Sequence, residues 1–346
     1  MRRTIRLALL SMVALGLAPG LWLRGPGPTD NQRPILGSEP LPVIKRRSGE
    51  VVIEGVWHLT SPNSHFGSYS GLTAMPDGTL LSISDKGRWL RFTPPGRTGP
   101  PPRFGVIGGE VDFDKRAVDA EALTVAPDGQ TLWVAYEGAN TIDRHGPDII
   151  AAERAEPAQM ARWSGNRGPE AMARLADGRF IVLGEGSPDW LGEGYPGLLF
   201  PGDPVAESEA LAFGFVPPKP YRATDMATLP DGRVLILLRS IEGVIPPRFS
   251  AKLVVADPAA IRAGEAWRGT EIATFDLTFP TDNFEGVAVE PGEGGALTLW
   301  MISDDNGAAL QRTLLYRLRW TPDQWKADTQ KARPASPARL SEPKAR

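Results

Sequence analysis

The sequence predicts an all-β protein built as a ring of five sheets, a β-propeller. Three observations carry that expectation. A strand–turn–strand pattern recurs along the chain, with an Asp-Gly turn at Asp77, Asp128, Asp177 and Asp231. These aspartates are separated by 51, 49 and 54 residues, a period suited to one several-stranded blade. Glycine (38) and proline (34) are both abundant, which suits a chain of many turns and disfavours long helices.

The elements follow in order. Residues 50–59 (EVVIEGVWHL) alternate apolar and polar side chains and read as a strand. A polar loop with His65 leads into the first unit: a strand at 71–75, the turn at 76–78, and a return strand at 80–84 ending at Asp85. Strands at 88–92 and 103–107 complete that unit. The second unit, residues 119–137 (DAEALTVAPDGQTLWVAYE), shows the pattern most clearly, as two strands about a Pro-Asp-Gly turn with a carboxylate near each end. Residues 141–145 continue it, while the Ala/Glu content of 148–162 leaves room for a short helix. The third unit starts at Gly168 and has later strands at 197–200 and 210–216. The fourth has strands at 224–229, 234–240, 251–256 and 271–277. The fifth has strands at 285–289, 297–303 and 313–320 around a longer, Gly-rich turn.

The fifth unit runs out of chain after three strands. Residues 50–59 are therefore expected to be its outer strand, closing the ring with N- and C-terminal segments in one blade. Each sheet is unstable alone and stacks on its neighbours to bury both faces. Six blades are the alternative, if the interval between Asp225 and Glu285 holds a degenerate unit.

The 346-residue chain is 41% hydrophobic, enough for a packed core, and its net charge is −3. Mild acidity argues against a nucleic-acid partner, which calls for a basic face. The absence of cysteine excludes disulfides, Cys-ligated zinc, iron–sulfur clusters, cysteine nucleophiles and a lipobox. Residues 1–20 combine Arg2, Arg3 and Arg6 with a short apolar run, as in an export signal or an N-terminal anchor. Residues 21–49 read as a Pro/Gly-rich linker, 50–320 as the propeller and 321–346 as a disordered tail. The expectation is a periplasmic or secreted monomer, touching a membrane only through the N-terminal segment if that is retained.

Aligning the units on their turns gives two sets of equivalent positions. Ser70, Glu121, Glu170, Thr224 and Glu285 stand just before an apolar first strand; Asp85, Glu137, Glu185, Arg239 and Asp304 stand just after an apolar second strand. In a propeller both sets face one mouth of the central channel, with Asp119, Asp225, Asn283 and Asp305 close by. Clustered carboxylates repel, so their pKa values rise or a cation neutralises them. Oxygen-only donors favour a hard cation such as Ca²⁺ or another divalent ion. The metal candidates are thus Asp85, Glu121, Glu137, Glu170, Glu185, Glu285 and Asp304, and the catalytic candidates Glu121, Glu170, Glu285 and His65, the last as a loop general base. The bland reading is that these acids accept backbone N–H bonds at blade corners. Arg239 is either a clamp for an anionic substrate or half of an internal salt bridge. Lys86 is a further candidate contact for an anion, or an exposed strand-end charge.

Other chemistries find little support. The serines of G-S-Y-S-G at 67–71 are misplaced for a nucleophile elbow, and P-loop, dinucleotide-binding and H-E-x-x-H patterns are missing. Trp89, Trp133 and Trp300 read as blade packing, and His58 and His145 as strand and turn residues.

D-A-E-A-L at 119–123, G-P-E-A-M at 168–172, N-F-E-G-V at 283–287 and S-D-D-N at 303–306, each with its hairpin, resemble the phytase-like propeller family, described as having esterase-like activity of phytase. The resemblance spans about residues 51–320. Leu238 departs from the Glu-Arg-Ser expected at 238–240. The resemblance implies an exported propeller that cleaves small phosphate or carboxylic esters. Two other functions fit the same residues: a non-catalytic propeller binding a ligand or protein of the cell envelope, and a sugar-lactone hydrolase.

Overall fold

The computed structural model describes residues 30–109, 119–150, 152–163, 167–186, 194–206, 209–243 and 247–322. The export segment at 1–20 and all but the first two residues of the expected tail lie outside the described residues.

The described strands form five sheets. The N-terminal segment contributes β1 (Gly37–Pro40), β2 (Arg47–Ser48) and β3 (Val51–Thr60). The first blade holds β4 (Tyr69–Ala74), β5 (Leu80–Ser84), β6 (Arg88–Phe92) and β7 (Arg103–Val106). In the second are β8 (Ala120–Val125), β9 (Leu132–Tyr136), β10 (Thr141–His145) and β11 (Ala152–Ala155). The third has β12 (Pro169–Arg174), β13 (Phe180–Gly184), β14 (Tyr195–Phe200) and β15 (Leu211–Phe215). The fourth consists of β16 (Arg222–Thr228), β17 (Val234–Glu242), β18 (Arg248–Ala256) and β20 (Thr270–Phe275). Between the last two, β19 (Ala266–Trp267) crosses to pair in parallel with β15. The fifth blade is β21 (Asn283–Pro291), β22 (Leu297–Asp304) and β23 (Thr313–Trp320), completed by β3 and β1.

Five blades are therefore present, and the long interval between Asp225 and Glu285 is filled by β17, β18, β19 and β20. The N-terminal strand closes the ring: β3 pairs antiparallel with β23, with Leu59 opposite Thr313 and Trp57 opposite Leu315. The linker reading of 21–49 fails over its last part, because β1 and β2 add to the edge of β3 that faces away from β23. Their prolines and glycines hid short edge strands, where a missing ladder donor is tolerated. Residues 148–162 hold β11 and a 3₁₀ turn at Met160–Arg162.

Packing is distributed around the ring. Five apolar clusters form, one at each junction of consecutive blades. The largest joins the fourth blade to the fifth through Leu237 and Leu253 on one side and Phe284, Met301 and Tyr316 on the other. The tryptophans serve this packing: Trp300 and Trp133 are buried, and their indole N–H groups donate to Glu290 and Asp203 at 2.7 and 2.8 Å. The Asp-Gly turns are scaffold. Asp77, Asp128, Asp177 and Asp231 each accept from the backbone N–H two residues on, at 3.0–3.1 Å, while the following glycine takes φ between 71° and 92°.

Candidate functional site

Each inner hairpin carries the same irregularity. Register shifts fall between Tyr69 and Gly71, Ala120 and Ala122, Pro169 and Ala171, Ala223 and Asp225, and Phe284 and Gly286. The skipped residues are Ser70, Glu121, Glu170, Thr224 and Glu285. A bulge leaves one residue out of the ladder and re-aims its side chain. Five bulges at equivalent depth thus present five polar side chains to one end of the channel. Two residues earlier stand Ser68, Asp119, Gly168, Arg222 and Asn283, opposite the second-strand set Asp85, Glu137, Glu185, Arg239 and Asp304. Backbone bonds or ladder pairs close every hairpin there, such as Glu137 N to Asp119 O at 2.9 Å and Glu185 N to Gly168 O at 3.0 Å. Gly168 is constrained by close approach: a Cβ there would lie 2.6 Å from the Glu137 carbonyl oxygen.

The carboxylates form two overlapping groups. Oxygens of Asp119, Glu121 and Glu137 lie within 4.8 Å of one another, as do those of Glu137, Glu170 and Glu185. Glu137 belongs to both. Burial, then the charges of Glu170, Glu285, Asp85 and Asp119, hold the Glu121 carboxyl well above the usual range. Glu170 is raised well above its ordinary value by burial and by Glu137, Glu185 and Glu285, against the pull of Arg239. Burial, Asp119 and Glu185 raise Glu137, opposed by a hydrogen bond with Glu170. No lysine or arginine pairs with Glu121, Glu137 or Glu170 among the described residues. Three half-buried acids without a lysine or arginine partner, offering only oxygen donors, fit a hard divalent ion.

The rest of the mouth is compensated internally. Arg239 pairs with Glu285 at 2.6 Å, their side chains 18% and 13% exposed, and donates to Asn283 Oδ1 at 2.5 Å. Burial pushes the Glu285 carboxyl up to about 7, with Arg239 opposing. Glu185 is paired with Arg222. Asp304 accepts from Asn306 N at 2.6 Å and from Asn283 Nδ2 at 3.3 Å. Asp305 accepts from Ser68 N, Gly307 N and Thr313 Oγ1 at 2.9–3.2 Å.

A family model, "Phytase-like: Esterase-like activity of phytase", matches residues 64–307, more than half of the chain and all five bulged hairpins. The chain belongs to the phytase-like family. No curated protein matches it. Among solved structures it is similar to a glutaminyl cyclase from Myxococcus xanthus, at 14% identity and a TM-score of 0.46, over 78% of this chain and 96% of that one. It is also similar to a luciferin-regenerating enzyme, at 12% identity and 0.42, over 81% and 90% of the two chains. A third likeness is to the β-propeller domain of Cps50 (Swd1) from Myceliophteria thermophila, at 10% identity and 0.39, over 83% and 99%.

Within this phytase-like propeller the sequence-derived residues divide. Glu121, Glu137, Glu170 and Glu185 meet in the two groups, joined by Asp119, which the sequence set only nearby. Asp85 and Glu285 act on Glu121 through charge but stand outside both groups, and Asp304 interacts with Glu285 and Asp85 rather than with the groups themselves. Ser70 and Thr224 are interblade ties: Ser70 Oγ donates to Ala120 O at 2.5 Å, and Thr224 Oγ1 to Phe284 O at 3.2 Å. His65 sits apart, shifted down by burial and by Arg88, with Asp30 opposing. Lys86 donates to Ser68 Oγ at 2.5 Å. Arg239 takes the internal salt bridge of its two readings.

Asp225 was underrated by sequence. Its equivalents are Gly71, Ala122, Ala171 and Gly286, small residues that let the inner strands approach; a Cβ on Gly286 would fall 2.8 Å from that of Leu72. Asp225 is fully buried, and its carboxylate accepts from Leu72 N at 3.2 Å, Val287 N at 2.7 Å and Met226 N at 2.8 Å. It therefore laces the fourth blade to the fifth and, across the channel, to the first. The signal was present: one acidic residue where four sister units have Gly or Ala.

Proposed function

We propose that this phytase-like propeller is an exported, metal-assisted hydrolase of small phosphate or carboxylic esters acting at the acidic mouth. The observation that supports this reading is the pair of carboxylate groups sharing Glu137, in which half-buried Glu121, Glu137 and Glu170 have no lysine or arginine partner among the described residues. Asp119, Glu121 and Glu137 would hold one divalent ion, Ca²⁺ by the chemistry of the donors, and Glu137, Glu170 and Glu185 a second. When bound, such an ion neutralises the acids, polarises the ester oxygen and lowers the pKa of water.

The chain's own residues supply the rest. Glu285, poised at about 7 between burial and Arg239, suits removal of a proton from water at neutral pH. Glu170, raised well above its ordinary value by burial and by its neighbouring carboxylates, would ionise once a cation neutralises the group and so serves as a ligand. Because Arg239 is held by Glu285 and Asn283, an anionic substrate would meet the more exposed Arg222 and Lys86 first. An acidic rim repels a polyphosphate unless cations bind before it, so simple esters fit better than phytate.

The test is hydrolysis of p-nitrophenyl phosphate and p-nitrophenyl acetate with Ca²⁺ and with EDTA. Activity that requires the cation and is lost in Glu121→Gln and Glu170→Gln is expected. Failure to turn over either ester when loaded, or full activity in both variants, sinks the mechanism. A second reading, a non-catalytic binding propeller, is favoured by the Arg239–Glu285 and Arg222–Glu185 pairs, which already neutralise part of the mouth. It calls for ligand-induced stabilisation with no product formed.

A further inference from the structure

The channel has a second mouth, on the side of the Asp-Gly turns, and it opens as a cavity of about 690 Å³. That volume lies in the range of small-molecule sites, which are mostly apolar with a few placed polar groups. The walls include Met75, Val125, Leu229 and Val289. Asp225, bonded across to Leu72 and Val287, stands between this cavity and the acidic mouth.

The repeat shows what is unusual here. Four residues beyond each bulge, the inner strands carry Ala74, Val125, Arg174, Thr228 and Val289, so one guanidinium enters a ring of small and apolar side chains. Arg97, the other cation on the wall, is taken: both of its terminal nitrogens bond Glu290, at 2.7 and 2.8 Å. Arg174 has no ion pair among the described residues, and its one side-chain bond is a long one, 3.5 Å, to the Leu175 carbonyl. Its backbone is fixed on both sides, by Thr124 Oγ1 and by Thr228 Oγ1. The guanidinium is therefore half-buried, anchored at its root and uncompensated at its tip. Such a fork matches a carboxylate, and the surrounding walls match a hydrocarbon body.

We propose that the turn-side mouth is a binding site for an amphipathic monocarboxylate of the fatty-acid class, with Arg174 taking the carboxylate and the apolar walls the chain. This site is independent of the chemistry assigned to the acidic mouth. The probe is decanoate, titrated calorimetrically into the full-length protein in the presence of EDTA, with decanol as the neutral control. Saturable one-to-one binding is expected, at least tenfold tighter for decanoate than for decanol. Arg174→Gln is expected to erase that preference while leaving decanol affinity unchanged, and Arg174→Lys to retain part of it. The proposal is overturned if wild-type protein shows no saturable decanoate binding, or binds decanol as tightly. It is also overturned if decanoate binding requires Ca²⁺, which would place the carboxylate at the acidic mouth. Arg174→Gln binding decanoate as well as wild type does overturns it equally.

Discussion

At one end of the channel the five inner strands begin with bulges, three of which carry a carboxylate. At the other, four of the strands run into Asp-Gly turns whose carboxylates fold back onto their own backbone. Asp177 accepts a hydrogen bond from Arg179, then one from the backbone, and these hold it below the usual range in spite of slight burial. Glu121 and Glu170, 49 residues apart in equivalent bulges, are driven the opposite way by burial and by neighbouring carboxylates. The same functional group is thus scaffold where it finds donors within two residues. It becomes a chemical resource where the ring gathers it with its own kind and leaves it short of donors.

The comparison breaks most sharply at Asp225, the one acid on the channel axis whose donors come from three blades. Replacing it with alanine leaves three buried N–H groups unpaired and should cost about 3–5 kcal/mol. Urea unfolding measures this directly, and a loss below about 1 kcal/mol would show that the lacing contributes little. Next in size is the effect of the cation. At a hundred times its dissociation constant, Ca²⁺ should stabilise the protein by about 2.7 kcal/mol. Glu137→Gln should remove more of that stabilisation than Glu185→Gln, because Glu137 belongs to both groups; thermal melts with and without EDTA would show the reverse order if the groups do not act together.

Stability should also depend on pH. A carboxyl raised on folding binds its proton more tightly in the folded state, so its stabilising contribution is complete below the unfolded pKa and is lost as pH rises. For Glu285 that window runs from 4.5 to about 7. In EDTA, stability should therefore fall across this range, by at most about 1.4 kcal/mol per pH unit for each such carboxyl. Ca²⁺ should flatten the slope and Glu285→Gln should reduce it. Denaturation midpoints that rise with pH in EDTA would contradict the crowding of the mouth. The smallest effect is expected at the turns: Asp128→Ala should cost about 1 kcal/mol or less and leave cation binding unchanged. A calcium titration that weakens in this variant would mean the two ends of the channel are coupled.

Much of the fold was legible because it is written locally and repeatedly. An Asp-Gly turn needs only its own four residues, and the alternation of a strand only its own two faces, so the period of about 50 residues announces the blades. The closure of the ring by residues 50–59 followed from counting strands. What was misread, residues 37–40 and 47–48, gains its strand character by pairing with β3: segments this short have no periodicity of their own, and their pairing energy lies with the strand they join.

The candidate site was legible as a list of positions and illegible as a set of contacts. Alignment on the turns placed Glu121, Glu137, Glu170 and Glu185 at one mouth, since equivalent positions in a closed ring must share a face. Which acids then share a volume depends on bulges, close approach at Gly168 and the angle between blades, none of which is a local property. Arg239 is a clamp or a salt bridge depending on whether Glu285 reaches it across a blade boundary, and at 2.6 Å it does. Asp225 shows the same division. The sequence by itself determined that an acid breaks a run of small residues; only the assembled ring brought Leu72 and Val287 to its carboxylate, because hydrogen bonds between blades exist only once the blades are assembled.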